Sequence, residues 1–256
     1  MKKYIVLSLL AAGLLCACTR ETGAPEFSRG GKTVKAVLPG TKAFLGEKDG
    51  TAYPNYWAAG DMININGVAS DPLDASFNGK SSAEFTIESA TAPLNAVYPA
   101  AAVTEYAEGA AAISLPEVQN YVAGSYDPSA YIMTAHSEGD EALAFEPQMA
   151  LFKFVAEGDV NIKSVKLIAS SEKKLSGPFG TDFSMFAPID GATNAVTLNM
   201  PDGGVAPGTP MIMAIPAGDY TDGIGVVFTD VNDGVMARRA TRPGFGAAGA
   251  ARAGSL

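Results

Sequence analysis

Ser82-Ala83-Glu84-Phe85-Thr86-Ile87-Glu88 alternates small or apolar residues at 83, 85 and 87 with polar ones at 82, 84, 86 and 88. A period of two puts Ala83, Phe85 and Ile87 on one side of an extended chain, the pattern of a strand with one buried and one wet face. Asn78-Gly79 stands just before it, with Ala75 and Phe77 on the far side. Glycine takes positive φ without a Cβ clash, so this spacing predicts a hairpin that joins 75–77 to 83–87.

Outward from that stretch the same grammar repeats. Apolar residues recur at every second position or in runs of four to eight, bounded by Gly, Pro, Asn and Asp, and no segment sustains a helical period with caps. The predicted strands are 33–38, 61–67, 82–88, 95–98 and 111–115, then 151–156, 161–170, 195–200, 211–215, 224–229 and 235–238. Met149 to Phe154 is an apolar run suited to a strand covered on both faces. Gly60-Asp61 ahead of Ile63 and Ile65 reads as a turn feeding a half-buried strand, and the Ala-rich stretch 100–112 as a short helix or a loop excursion. Two sets of short strands, each about a hundred residues long, predict an all-β chain of two β-sandwich domains, 33–140 and 141–238. Residues 239–256 hold three arginines, no acid and a Gly/Ala texture without alternation. They read as an irregular tail or as the place where a closing strand is missing.

The amino terminus reads differently. Lys2 and Lys3 precede an apolar run through Leu15, and Leu15-Cys16-Ala17-Cys18 closes it. A basic start, an apolar stretch and a small residue before cysteine are the marks of a lipoprotein signal, residues 1–17, with Cys18 the acylated first residue of the mature chain. Cys16 is the poorer candidate because bulky Leu15 precedes it. The apolar run is shorter than the ~20 residues a spanning helix needs, so the expectation is an anchored protein at the outer membrane. Residues 18–32, with Gly23, Pro25, Gly30 and Gly31, read as a flexible tether.

Loss of Lys2 and Lys3 leaves 16 basic against 27 acidic residues, a net charge of −11. Phosphate binding needs a basic face, so nucleic acid is an unsuited partner. Both cysteines lie at the signal, which leaves the body without disulfide or thiolate, and a single histidine supplies no zinc set. No cofactor is expected. His136 lacks a serine elbow and reads as a polar residue of a loop, 135–139. Asp230-Val231-Asn232-Asp233-Gly234 has the wrong spacing for a calcium loop, with Thr241 where a bidentate Glu belongs, and reads as a hairpin turn. Glu138, Asp140 and Glu141 cluster around Gly139, yet adjacency fixes no carboxylate separation, so a solvated loop is the reading and a glycosidase a distant alternative. Tyr53, Tyr56 and Trp57 offer a sugar platform, against which stands the simpler role of Trp57 as a core ring.

Several stretches in order carry a resemblance. They are the cysteine site at Cys18, Trp57-Ala58-Ala59-Gly60-Asp61-Met62-Ile63-Asn64-Ile65, Ala83-Glu84-Phe85 and Tyr98-Pro99-Ala100. Tyr131-Ile132-Met133-Thr134-Ala135, Leu143-Ala144-Phe145, Ala150-Leu151-Phe152-Lys153-Phe154, Ile162-Lys163-Ser164-Val165-Lys166-Leu167 and Leu175-Ser176-Gly177 follow. The chain thereby resembles the fimbrillin family of lipoprotein-derived pilus subunits and related surface proteins. The resemblance implies two transthyretin-like sandwiches, a non-enzymatic fimbrial subunit or adhesin, and head-to-tail assembly with other fimbrial subunits, in which one subunit's strand completes a neighbour's sheet. It also implies maturation by a trypsin-like protease. Arg20 and Arg29 precede the first strand and no arginine follows until Arg238, so a cut that frees the strand 32–38 falls at Lys42 or Lys48. The alternative is a lipoprotein that never polymerises and binds a host or bacterial surface glycan through Tyr53, Tyr56 and Trp57.

Overall fold

The computed structural model describes residues 31–38, 56–139, 142–240 and 251–252, and within them the chain is made of strands and three short 3-10 turns. In chain order the strands are β1 Lys32–Val37, β2 Asn64–Ile65, β3 Val68–Ala69, β4 Ser82–Ile87, β5 Leu94–Tyr98, β6 Val103–Ala107 and β7 Ala110–Leu115. Next come β8 Val118–Asn120, β9 Met133–Ser137, β10 Leu143–Ala144, β11 Glu146–Pro147, β12 Met149–Val155 and β13 Ile162–Ile168. The last are β14 Gly177–Thr181, β15 Phe186–Pro188, β16 Ala195–Asn199, β17 Pro210–Pro216, β18 Ile224–Asp230, β19 Val235–Ala240 and β20 Ala251–Arg252. The fold is all-β, as the alternation predicts.

Three sheets, ordered β10-β1-β4, β11-β9-β5-β2-β3 and β15-β14-β7-β6, contribute side chains to a first core. Ala83, Phe85 and Ile87 of β4 point into it while Glu84 and Thr86 stay exposed, which is the pattern read from the sequence. At its centre Trp57, 1% exposed, meets Phe85, Tyr98 and Phe145 edge-on, at centroid distances of 5.0, 5.4 and 5.8 Å. Such edge-to-face pairs add about 0.5–1.5 kcal/mol each beyond the burial itself. Sheets β17-β12-β20 and β19-β18-β13-β16-β8 enclose a second core around Phe152, Phe154 and Phe228.

Strands β12 and β17 separate the two cores. Met149, Leu151, Ile212 and Ala214 belong to the first, and Phe152, Phe154, Met211, Met213 and Ile215 to the second. The antiparallel register sets Leu151 opposite Ala214 and Phe152 opposite Met213, so each face of the pair serves one core. This is why Met149 to Phe154 is apolar without alternation. The expected junction at 140/141 is crossed in both directions. Strands β10 and β11 pair back with β1 and β9, β14 pairs with β7, and β8 pairs with β16.

Three local readings need correction. Gly79 has φ of 74°, as a turn requires, but 75–77 is a 3-10 turn rather than a hairpin arm, because the Asp74 carboxylate accepts the Ser76 N–H and winds the chain there. The strand β4 pairs instead with β1. The stretch 100–112 holds a 3-10 turn, Ala100–Ala102, and then the hairpin β6–β7 closed at Glu108-Gly109, both with positive φ. The strand expected over 61–67 shrinks to Asn64–Ile65, since Asn66 and Gly67 turn the chain straight back into β3. At the other end β19 runs on through Arg239 to Ala240, and Ala251–Arg252 pairs in parallel with Phe152 and Lys153.

Candidate functional site

Strand β1 lies between β4 and β10 in its sheet. One edge is matched to β4 along its whole length, from Lys32 opposite Ile87 to Val37 opposite Ser82, and the zipper continues with the Leu38 N–H donating to the Ser81 carbonyl at 2.8 Å. Among the described residues the other edge meets β10 at Ala36 and Val37, followed by the Phe145 N–H donating to the Val37 carbonyl at 2.9 Å. Val34, Ala36 and Leu38 are buried in the first core, and Thr33 and Lys35 face solvent. The chain enters past Gly31, where a Cβ would stand 2.7 Å from Thr86 Cγ2, so glycine is what permits the close approach.

Burial of two large aliphatic side chains and one methyl is worth about 4–6 kcal/mol. Set against the ~5–15 kcal/mol that holds a whole domain together, that is too much to forgo. Loss of β1 would expose the core surface that these side chains cover and free the main-chain groups of β4 that pair with it. The place that β1 fills matches its pattern, an extended segment with small and branched apolar residues at alternate positions and polar ones between them.

The residues singled out in the sequence fall into separate places. Cys18, Arg20, Arg29, Lys42, Lys48, Tyr53, Asp140 and Glu141 lie outside the described residues. Tyr56 is half-buried, and Trp57 is a core ring whose faces are covered by neighbours, so it presents no platform to a sugar. Among the described residues its indole N–H has no hydrogen-bond partner. His136 is on β9 and not in a loop. One ring nitrogen, Nδ1, lies 2.6 Å from Asn95 Oδ1 and the other, Nε2, 3.1 Å from Glu138 Oε1, and among the described residues no Ser or Thr hydroxyl bonds to it. The Asp230 turn is the hairpin expected between β18 and β19. Asp230 Oδ1 accepts the N–H groups of Asn232 and Gly234, each at 2.8 Å, and Lys163 Nζ pairs with Asp233 at 2.7 Å. Among the described residues no three Asp, Glu, His or Cys side chains converge on one point.

Two groups escaped the sequence reading. Asp61, at the turn before β2, accepts from the Tyr98 hydroxyl at 2.9 Å and the Ala58 N–H at 2.8 Å, and burial raises its pKa above the usual carboxylate value. Gln119, 1% exposed, sends its side-chain amide across to the backbone of Ala214. Asp61 is half-buried, on the same side of the extended chain as Ile63 and Ile65, and Gln119 has no apolar neighbour pattern that would mark it as buried.

No protein-family model matches the chain, and no curated protein matches it in sequence. Solved structures do resemble it. A candidate cell adhesion protein of Bacteroides uniformis aligns with a TM-score of 0.46 at 14% identity, over 81% of this chain and 85% of that one. One from Bacteroides ovatus aligns with 0.48 at 14% identity, over 82% and 86%. The tip fimbrial protein Mfa3 of Porphyromonas gingivalis, with a C-terminal truncation, aligns with 0.32 at 7% identity, over 81% of each chain.

Proposed function

We propose that this chain is a non-enzymatic cell-surface protein, a structural subunit or adhesin of a fimbria. In this reading it is exported as a lipoprotein acylated at Cys18 and joined to its neighbours by strand addition. The observation that carries the reading is the seating of β1, an amino-terminal strand zipped along β4 on one edge, paired among the described residues with β10 at Ala36 and Val37 on the other, and filling the first core with Val34, Ala36 and Leu38. Such a strand is what an exchange needs. It leaves a slot of defined register that main-chain hydrogen bonds and alternate side chains from another copy can fill. Head-to-tail filling of that kind generates a filament.

The order of residues constrains maturation. Release of β1 requires a cut beyond Leu38, for which Lys42 and Lys48 are the sites a trypsin-like protease recognises, whereas cleavage at Arg20 or Arg29 leaves β1 in place. A chain cut at either arginine keeps its slot filled and caps or anchors an assembly; a chain cut at either lysine accepts a neighbour. The glycan reading through Trp57 is not carried forward, because that ring lies in the core.

The test uses the chain with residues 32–38 removed. It is expected to bind a synthetic peptide of sequence KTVKAVL and to recover its thermal transition when the peptide is added, while the peptide leaves the intact protein unchanged. Protein from cell surfaces is expected in assemblies larger than a monomer. A surface protein that is solely monomeric, together with a deletion that leaves stability untouched, would refute strand exchange.

A further inference from the structure

Two segments cross between the cores in opposite directions. Strand β7 ends at Leu115 in the first core, and the chain then enters the sheet of the second core as β8, parallel to β16. The Thr197 N–H donates to the Glu117 carbonyl and the Tyr121 N–H to the Asn199 carbonyl, both at 2.9 Å. The segment then returns. Asp127 accepts the Asn120 N–H at 2.8 Å, and the rings of Tyr126 and Tyr131 on either side of it in sequence, 4.6 Å apart, sit in the first core. In the reverse direction Leu175 packs in the second core, while Phe179 of β14 packs in the first and β14 pairs with β7.

Gln119 fastens the outgoing segment to the partition between the cores. Its Oε1 accepts the Ala214 N–H at 3.0 Å and its Nε2 donates to the Ala214 carbonyl at 2.6 Å, across 95 residues of sequence. Ala214 is in the middle of β17, the edge strand of the sheet that separates the cores, and is fully buried. A primary amide offers one donor and one acceptor in a plane, as a peptide unit does, so Gln119 stands where a neighbouring strand would stand. Further along that strand the Tyr220 hydroxyl donates to the Pro216 carbonyl at 2.7 Å.

We propose that residues 116–127 form a strap that locks the two cores into one cooperative unit, with the Gln119 amide as its clasp. Neither core opens without pulling a strand from the sheet of the other, and loss of the amide strands a buried N–H and a buried C=O on β17. For a subunit within a filament, a consequence that rests on the function proposed above, tension is then resisted by the whole chain and not by whichever core is weaker.

The test needs only the purified protein in urea. Trp57, the one tryptophan, reports the first core by fluorescence, and hydrogen exchange of the β13 and β18 amides reports the second. In the wild type the two probes are expected to share one midpoint. In Gln119→Leu, which keeps most of the volume and removes both bonds, the midpoints are expected to separate by roughly 1 M urea. Two midpoints in the wild type, or a Gln119→Leu protein in which both shift together, would overturn the strap. The wild-type comparison decides by itself if the variant does not fold.

Discussion

The two cores are built from different materials. The first carries polar groups inside its packing: the Asp61–Tyr98 hydrogen bond, buried Asn95, and the indole N–H of Trp57, which has no partner among the described residues. The second is filled around Phe152, Phe154 and Phe228 and the thioethers of Met211 and Met213, and its bordering phenol, Tyr220, is pushed by burial far into the alkaline range. Each core buries two thioethers, Met133 and Met149 in the first and Met211 and Met213 in the second, so the polar groups set them apart: these demand one geometry, whereas a packing of apolar side chains accommodates changes of shape. The difference assigns specificity and pH response to the half that holds β1, and tolerance to the other.

The largest expected effect comes from the centre of the first core. Trp57→Ala removes a ring that three aromatic neighbours meet edge-on, and is expected to destabilise the protein by about 3–5 kcal/mol, read from urea unfolding by circular dichroism. Phe228→Leu in the second core is expected to cost about 1 kcal/mol, because Met211 and Met213 can move into the space. Equal losses would erase the contrast.

A smaller effect separates the cores by pH. Burial raises the Asp61 pKa, so its contribution to stability is complete below about 3.9, the unfolded value, and is lost as pH rises through the folded one. The stability of the wild type relative to Asp61→Asn is therefore expected to fall between pH 3.5 and pH 7, and a difference that stays constant over that range would contradict the placement of Asp61. Phe228→Leu is expected to leave the pH slope of the wild type unaltered.

The smallest effect has the opposite sign. Asp182, exposed at the β14–β15 hairpin, accepts from the Ser184 hydroxyl and from the Ser184 and Met185 N–H groups, which lowers its pKa. Its contribution is present above the ordinary carboxylate value and disappears as pH falls through the depressed one. Asp182→Ala is expected to lower the melting temperature slightly at pH 7 and not at all at pH 2.

How much of this was legible follows from the side chains involved. The alternation at 82–88 and the continuous run at 149–154 reveal a half-buried strand and a doubly covered one, because burial selects residues by face. Strand β14, Gly-Pro-Phe-Gly-Thr, is hidden since glycine and proline are poor strand formers and its pairing with β7 comes from tertiary packing. Strand β6 is hidden by an Ala-rich texture that fits a helix as well. Gln119 could not be found, as a polar residue in a short strand gives no sign of being 1% exposed. The seating of β1 was half legible. Its alternating face is in the sequence, but its place between β4 and β10 is a property of the sheet.

The mass of the mature amino terminus, taken from protein on the surface of the native host, tests the central claim most directly. The account predicts a chain that starts at Cys18 with acyl groups attached, or one that starts at Ala43 or Asp49 after β1 has been released. An unmodified chain beginning at Met1 in the soluble interior of the cell would contradict it.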